Sequence, residues 1–179
     1  MTASAATAPD AARVLGLVTT ALPPVDTGQV TAFWQRVLAM GTVEPGTPVP
    51  DVVEPFGDSV ELADELLGLV IHGPKRATAG AVADYEREGV PLPRPGMLSI
   101  ATDGAGRARA VLRTTDVRIG PLSSVDDEFA WDEGEGDRTR AAWLADHERF
   151  FRRYLPTIGV EFDPAMATVF ERFEVLFSE

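Results

Sequence analysis

The stretch MLSIATDGAGRARAVLRTTDV, residues 97–117, decides the fold. Two runs rich in Ala, Val, Ile, Leu and Thr flank Asp103-Gly104-Ala105-Gly106, a turn sequence. This predicts a β-hairpin of Met97–Thr102 and Arg107–Val117. The preceding PLPRPG, 91–96, is stiff and extended by virtue of its prolines. At the far end Ala167–Phe177 alternates well enough to be a long strand. Its set Ala167, Val169, Phe173, Val175 and Phe177 holds one charged member, Glu171. A carboxylate on an inward face needs a partner, which Lys75, Arg76 or Arg113 could supply; the alternative is that a bulge or strand end returns Glu171 to solvent.

Helical patterns surround these strands. Val30, Phe33, Trp34, Val37 and Leu38 give Gln29–Met40 an amphipathic spacing. After a Pro/Gly-rich connector, 41–57, Asp58 and Glu61 suggest a capping box. Val60, Ala63, Leu66, Leu67, Val70 and Ile71 then line one helical face. A shorter helix is expected from Thr78 to Glu88, stopped by Gly89. A strong one is expected over Arg138–Tyr154, capped by Asp137, with Trp143 and His147 as core packing. Helices mixed with antiparallel strands indicate an α+β fold, a small curled sheet or barrel with helices outside.

The chain has 179 residues, enough for one well-cored domain with an appended segment. The division expected is 1–50, an arm plus helical extension, and 51–179, the domain proper. No apolar run approaches the length of a membrane span, and the opening MTASAATAPDAARV lacks the basic and apolar parts of a secretory signal, so it reads as a disordered arm. With no cysteine, disulfides, thiolate metal sites and cysteine nucleophiles are excluded, and a cytoplasmic location is expected. A net charge of −12 argues against sequence-blind binding to long polyanions. Lys75, Arg76, Arg87 and Arg94 could still form a local basic cleft, or simply a solvated face.

In GPKRATAG, 73–80, Lys75 and Thr78 stand three positions apart. On a helix N-terminus they would share one side, where a lysine of lowered pKa could activate the threonine hydroxyl. The alternative is a helix junction in which Thr78 is a cap. In DEGEGD, 132–137, Glu133, Glu135 and Asp137 alternate with glycines, but their spacing is not that of an EF-hand, and no metal is expected. Tyr85 or Trp131 could stack on a base.

Together ADELLGLVIHGPKRATAG (63–80), LPRPGMLSIATDGAG (92–106), the acidic loop with W-x-x-x-H-x-x-F-F (up to Phe151) and FERFEVLF (170–177) resemble the ASCH domain, more closely its YhfF-like branch. The match runs from about Phe56 to Phe177. The resemblance implies a PUA-like β-barrel with flanking helices, to which the N-terminal helix would be an addition. It also implies a link to RNA and a cleft beside G-x-K-x-x-T. Some small members act as amidohydrolases of N4-acetylcytidine; by that resemblance Lys75, Thr78 and Glu133 would be catalytic, with Glu135 as the fallback for Glu133. Arg76, Tyr85, Trp131, Glu135 and Glu171 would then contact the substrate, without a cofactor. The alternatives are a metal-independent ribonuclease and a noncatalytic RNA- or nucleotide-binding module in which Lys75 and Arg76 hold phosphate. The expected partner is RNA or a small nucleoside-type ligand rather than a membrane, with the chain a monomer or homodimer.

Overall fold

The hairpin is present and sits at the centre of a five-stranded sheet. The computed structural model describes residues 21–179, so the N-terminal arm lies outside the described residues. In chain order the elements are α1 (Thr27–Ala39), β1 (Val52–Glu54), α2 (Val60–Ile71), β2 (Ala77–Ala81), α3 (Val82–Glu88), β3 (Leu98–Thr102), β4 (Ala108–Pro121), α4 (Asp127–Glu133), α5 (Arg140–Tyr154) and β5 (Ala167–Ser178). The sheet order is β1-β3-β4-β5-β2, with only β1 running parallel to its neighbour.

The turn closes as its residues require. Gly106 N–H donates to Asp103 O, and Asp103 Oδ1 accepts from the N–H groups of Ala105 and Arg107. Gly106 holds φ +74°, and a Cβ there would lie 2.7 Å from Pro24 O, so glycine is needed twice over.

Three clusters make the core. Val30, Phe33, Trp34 and Val37 of α1 pack on Ile100, Ala108 and Val111, which makes the N-terminal helix part of the sheet's packing. Leu67 and Val70 of α2 meet Ala101, Ala110, Leu112 and Phe173. Phe129 of α4 and Trp143 and Phe151 of α5 cover Ala77, Ala81 and Phe170. Strand β5 is thus covered on both faces, and bulges near Thr114–Asp116 and Val111–Leu112 of β4 interrupt its pairing register.

Four local expectations need correction. The segment around Thr78 is a strand, with Ala77–Ala81 paired antiparallel to Thr168–Arg172, and the helix starts only at Val82 without a side-chain cap. Sheet pairing along β5 outweighs the helix propensity of its alanines. The connector 41–57 contains β1, which is too short to show a pattern. Ser59, rather than Asp58, caps α2 by accepting from Leu62 N–H. Thr139, rather than Asp137, caps α5, while Asp137 accepts from the Thr139 N–H and hydroxyl.

All five strands contribute residues to one concavity: Glu54 of β1, Thr78 of β2, Ser99 of β3, Thr114 of β4 and Glu171 of β5. A sheet whose two edge strands look into the same hollow is curled, and the fold is an α+β half-barrel of the PUA-like kind. Among the described residues β1 and β2 do not pair, so the barrel remains open along that seam.

Candidate functional site

Two features adjoin at the motif strand. The first is the concave cleft, whose empty space including its mouth is about 620 Å³. Its walls are apolar, with Phe56, Pro91, Pro93, Met97 and Phe173 prominent, and Thr78, Tyr85 and Glu171 reach it as well. Thr78 and Glu171 are direct cross-strand partners between β2 and β5, so their side chains project from the same face as neighbours. The expected cation partner of Glu171 is absent. Instead Thr114 Oγ1 donates to Glu171 Oε1 at 2.6 Å. The bulge beside Thr114 puts that hydroxyl, rather than Arg113, against the carboxylate, and Arg113 turns out to Glu174. Burial raises Glu171 above the usual carboxylate range, and the Thr114 bond offsets this only in part.

The second feature is a buried ionic network behind the cleft. Lys75 is 1% exposed, and its Nζ lies 2.5 Å from Glu135 Oε1 and 3.6 Å from Glu133 Oε1. Glu133, also 1% exposed, ends α4, and its Oε2 accepts from Trp143 Nε1 and lies 3.4 Å from His147 Nε2. Glu135 is the more accessible carboxylate, at 32%. Both acids offered for one role therefore serve Lys75 together. Burial alone would lower the lysine, but the two glutamates reverse this and hold it as an ammonium. Its Nζ stands 5.4 Å from the ring centre of Phe56, the residue that borders both features.

His147, expected to be simple packing, belongs to the network. It stacks on Trp143 at 3.7 Å, and its Nδ1 is 3.0 Å from Trp143 O. A carbonyl only accepts, so Nδ1 carries the hydrogen. The Nε2 that faces Glu133 then needs a second proton. Burial would lower the histidine, but Glu133 raises it above its ordinary 6.5, while His147 and Lys75 overcome the effect of burial on Glu133 and lower it below 4.5. The imidazole resonances of His147, separated from those of His72 with a His72→Asn variant, should titrate above the ordinary value. Replacing Glu133 with Gln should drop the midpoint below it. A wild-type midpoint at or under the ordinary value would contradict the paired proton. The i, i+4 spacing of Trp143 and His147 was the available signal; it also fits plain core packing, because nothing in the sequence shows that Glu133 folds under that helix.

Other expected site residues stand elsewhere. Arg76 Nη1 donates to the carbonyls of Val70, Gly73 and Lys75, closing the end of α2. Trp131 is 57% exposed under the Arg138 guanidinium, 3.7 Å from its ring centre, and does not line the cleft. With Arg87 on Glu88, Lys75 buried and Arg76 on backbone, these residues do not form the basic cleft that their proximity in sequence allowed. Among the described residues no group of acidic, histidine or cysteine side chains is arranged to hold a metal ion, and no helix is long and apolar enough to cross a membrane.

The comparisons with known proteins agree with this architecture. The crystal structure of protein EF3133 from Enterococcus faecalis V583 is 36% identical, covering 83% of this chain and 88% of that one, with a TM-score of 0.74. The crystal structure of an ASCH domain from Lactobacillus crispatus JV V101 is 27% identical, covering 83% of this chain and 94% of that one, also with a TM-score of 0.74. No curated protein matches. The family model described as the ASCH domain matches residues 52–177, the half-barrel with its motif strand, acidic loop and final strand. On that match the chain belongs to the ASCH domain family.

Proposed function

We propose that the chain binds a nucleobase-bearing ligand, a modified nucleoside or a short RNA, in the cleft of the half-barrel and hydrolyses an amide bond on it. The observation that carries this is the Thr78–Glu171 pair: a hydroxyl and a carboxyl of raised pKa set side by side on the floor of an apolar cleft. A carboxylate that titrates high is a better proton acceptor than an ordinary one.

The roles differ from those the family resemblance implies. Lys75, held as an ammonium by Glu133 and Glu135, has no lone pair with which to take the Thr78 proton. Glu171 is the acceptor instead. Thr78 Oγ attacks the amide carbonyl as its proton passes to Glu171. Collapse of the tetrahedral adduct breaks the C–N bond, and the amine leaves with that proton. Water then hydrolyses the threonine ester and restores both groups. Lys75 supplies a fixed positive charge behind Phe56, and Glu133 and His147 keep it in place.

The test is release of acetate and free nucleoside from N4-acetylcytidine, followed chromatographically. Thr78→Val should lower turnover by about a hundredfold or more with binding largely retained, and Glu171→Gln should lower turnover by as much. A folded wild-type protein that binds the nucleoside without turning it over would remove the hydrolytic step and leave a binding module. In such a module Lys75 and Arg76 would not be the phosphate contacts, since both are already engaged.

A further inference from the structure

The lining of the cleft states what kind of ligand edge it accepts. No lysine, arginine or histidine is among its lining residues, whereas Glu54 and Glu171 both are, from strands on opposite sides of the hollow. The Glu54 side chain, which is solvent-exposed, has no hydrogen-bond or ion-pair partner among the described residues, while its backbone pairs with Ala101 of β3. Of the two Glu171 oxygens, Oε1 accepts from Thr114, and no described residue donates to Oε2. Carboxylate oxygens thus face the cleft with acceptor capacity unused, between walls of proline, phenylalanine and methionine on which a planar ring could lie.

We propose that the cleft selects nucleobases carrying an exocyclic amino group over those with carbonyl oxygens in its place, through Glu171 and Glu54, and that it leaves any phosphate outside. This rests on the nucleobase reading given above and names the edge that reading left open. An amino group places N–H donors against the carboxylates in charge-assisted hydrogen bonds. A uracil-type edge offers a single N–H, flanked on both sides by carbonyl oxygens that meet a carboxylate acceptor on acceptor. A phosphate in the cleft would meet two carboxylates with Asp84 and Glu88 of α3 nearby, and no lining residue would compensate it. The titration of Glu54 agrees with this crowding: the protein around it thins its hydration, Glu88, Glu171 and Asp84 add like charge, and it rises to about 6. It is therefore mostly ionised, and an acceptor, somewhat above neutral pH.

The experiment is calorimetric binding of cytidine, adenosine, guanosine and uridine, with the 5′-monophosphate of the tightest binder, to the full chain just above neutral pH. At least one amino-bearing nucleoside should bind tighter than uridine by about tenfold, the size of one charge-assisted hydrogen bond. Its monophosphate should bind no tighter than the nucleoside. Glu171→Gln and Glu54→Gln each give the cleft an amide N–H donor. At least one of them should narrow the preference by strengthening uridine binding in absolute terms, an effect that damage to the fold would not produce. Uridine binding as well as the amino nucleosides, a clear gain from the phosphate, or a preference unmoved in both variants would each overturn the proposal while leaving the nucleobase reading intact. If no nucleoside binds the wild-type chain, the nucleobase reading fails and this selection fails with it.

Discussion

Lys75→Met should cost about 3–5 kcal/mol of folding stability, the range for removing one partner from a buried ion pair. Against a typical total of about 5–15 kcal/mol this is a large fraction. Methionine keeps nearly the length and the apolar stem of lysine, so the loss reports on charge rather than on a cavity. What remains is Glu133, 1% exposed, with His147 as its cationic neighbour, and Glu135 with no counter-ion at 2.5 Å. Adding Glu135→Gln to Lys75→Met should recover part of the loss, because the carboxylate left without its counter-ion goes with it. Urea unfolding with an unchanged m-value measures both. A Lys75→Met protein as stable as wild type would mean that water already reaches the network.

The same network fixes the sign of the pH dependence. Glu133 is lowered in the folded state, so its contribution is present above its ordinary 4.5 and fades as the pH falls through the lower folded value. His147 is raised, so its contribution is complete below its ordinary 6.5 and fades as the pH rises through the higher folded value. Stability from the pair is therefore greatest between those two ordinary values. Replacing either partner should flatten both flanks.

The parts of this protein legible from sequence are those in which one element carries its own signal. The hairpin shows in its turn residues, α1 and α2 in their apolar spacing, and β5 in its alternation. What depends on contact between distant segments was not legible. Thr78 reads as a helix cap until β5 is laid beside it; pairing with Thr168–Arg172 then turns the segment into a strand and places Glu171 opposite. Glu171 reads as needing a cation until a bulge in β4 delivers the Thr114 hydroxyl. Lys75 and Glu133 were legible as a pair through the family resemblance, but the ammonium state of the lysine follows from the enclosure of both behind Trp143 and His147, which no local pattern carries.

The glycines of DEGEGD appear in sequence only as flexibility, and Gly134→Ala should show that one of them is a positional requirement. Gly134 is the C-cap of α4 at φ +74°, a left-handed conformation that costs any other residue about 1–2 kcal/mol. A Cβ there would also stand 2.8 Å from Lys75 N and 2.9 Å from Pro74 C and Cγ, closer than real Cβ contacts come. Most of those atoms are backbone, and the Arg76 N–H bond to Asp132 O at 2.7 Å binds the same segment, just ahead of β2, to the end of α4, so neither side can yield alone. Overpacking of this kind adds about 1–3 kcal/mol, for a total loss of about 2–5 kcal/mol. Gly136→Ala is the control: its φ is also positive, at +53°, but the nearest atom to its Cβ is Asp146 Oδ2 at 3.9 Å, so only the conformational cost applies. Thermal or urea unfolding should therefore separate two alanines placed two residues apart, with Gly134→Ala the more damaging. The damage should also reach the site, since any shift that relieves the clash moves the Lys75 backbone away from Glu133 and Glu135; a cation then withdraws from the carboxylates it shares with His147, visible as a rise in the His147 titration midpoint. Equal losses at the two positions would mean that the acidic loop gives way freely, and that its approach to the motif strand does not set the position of Lys75.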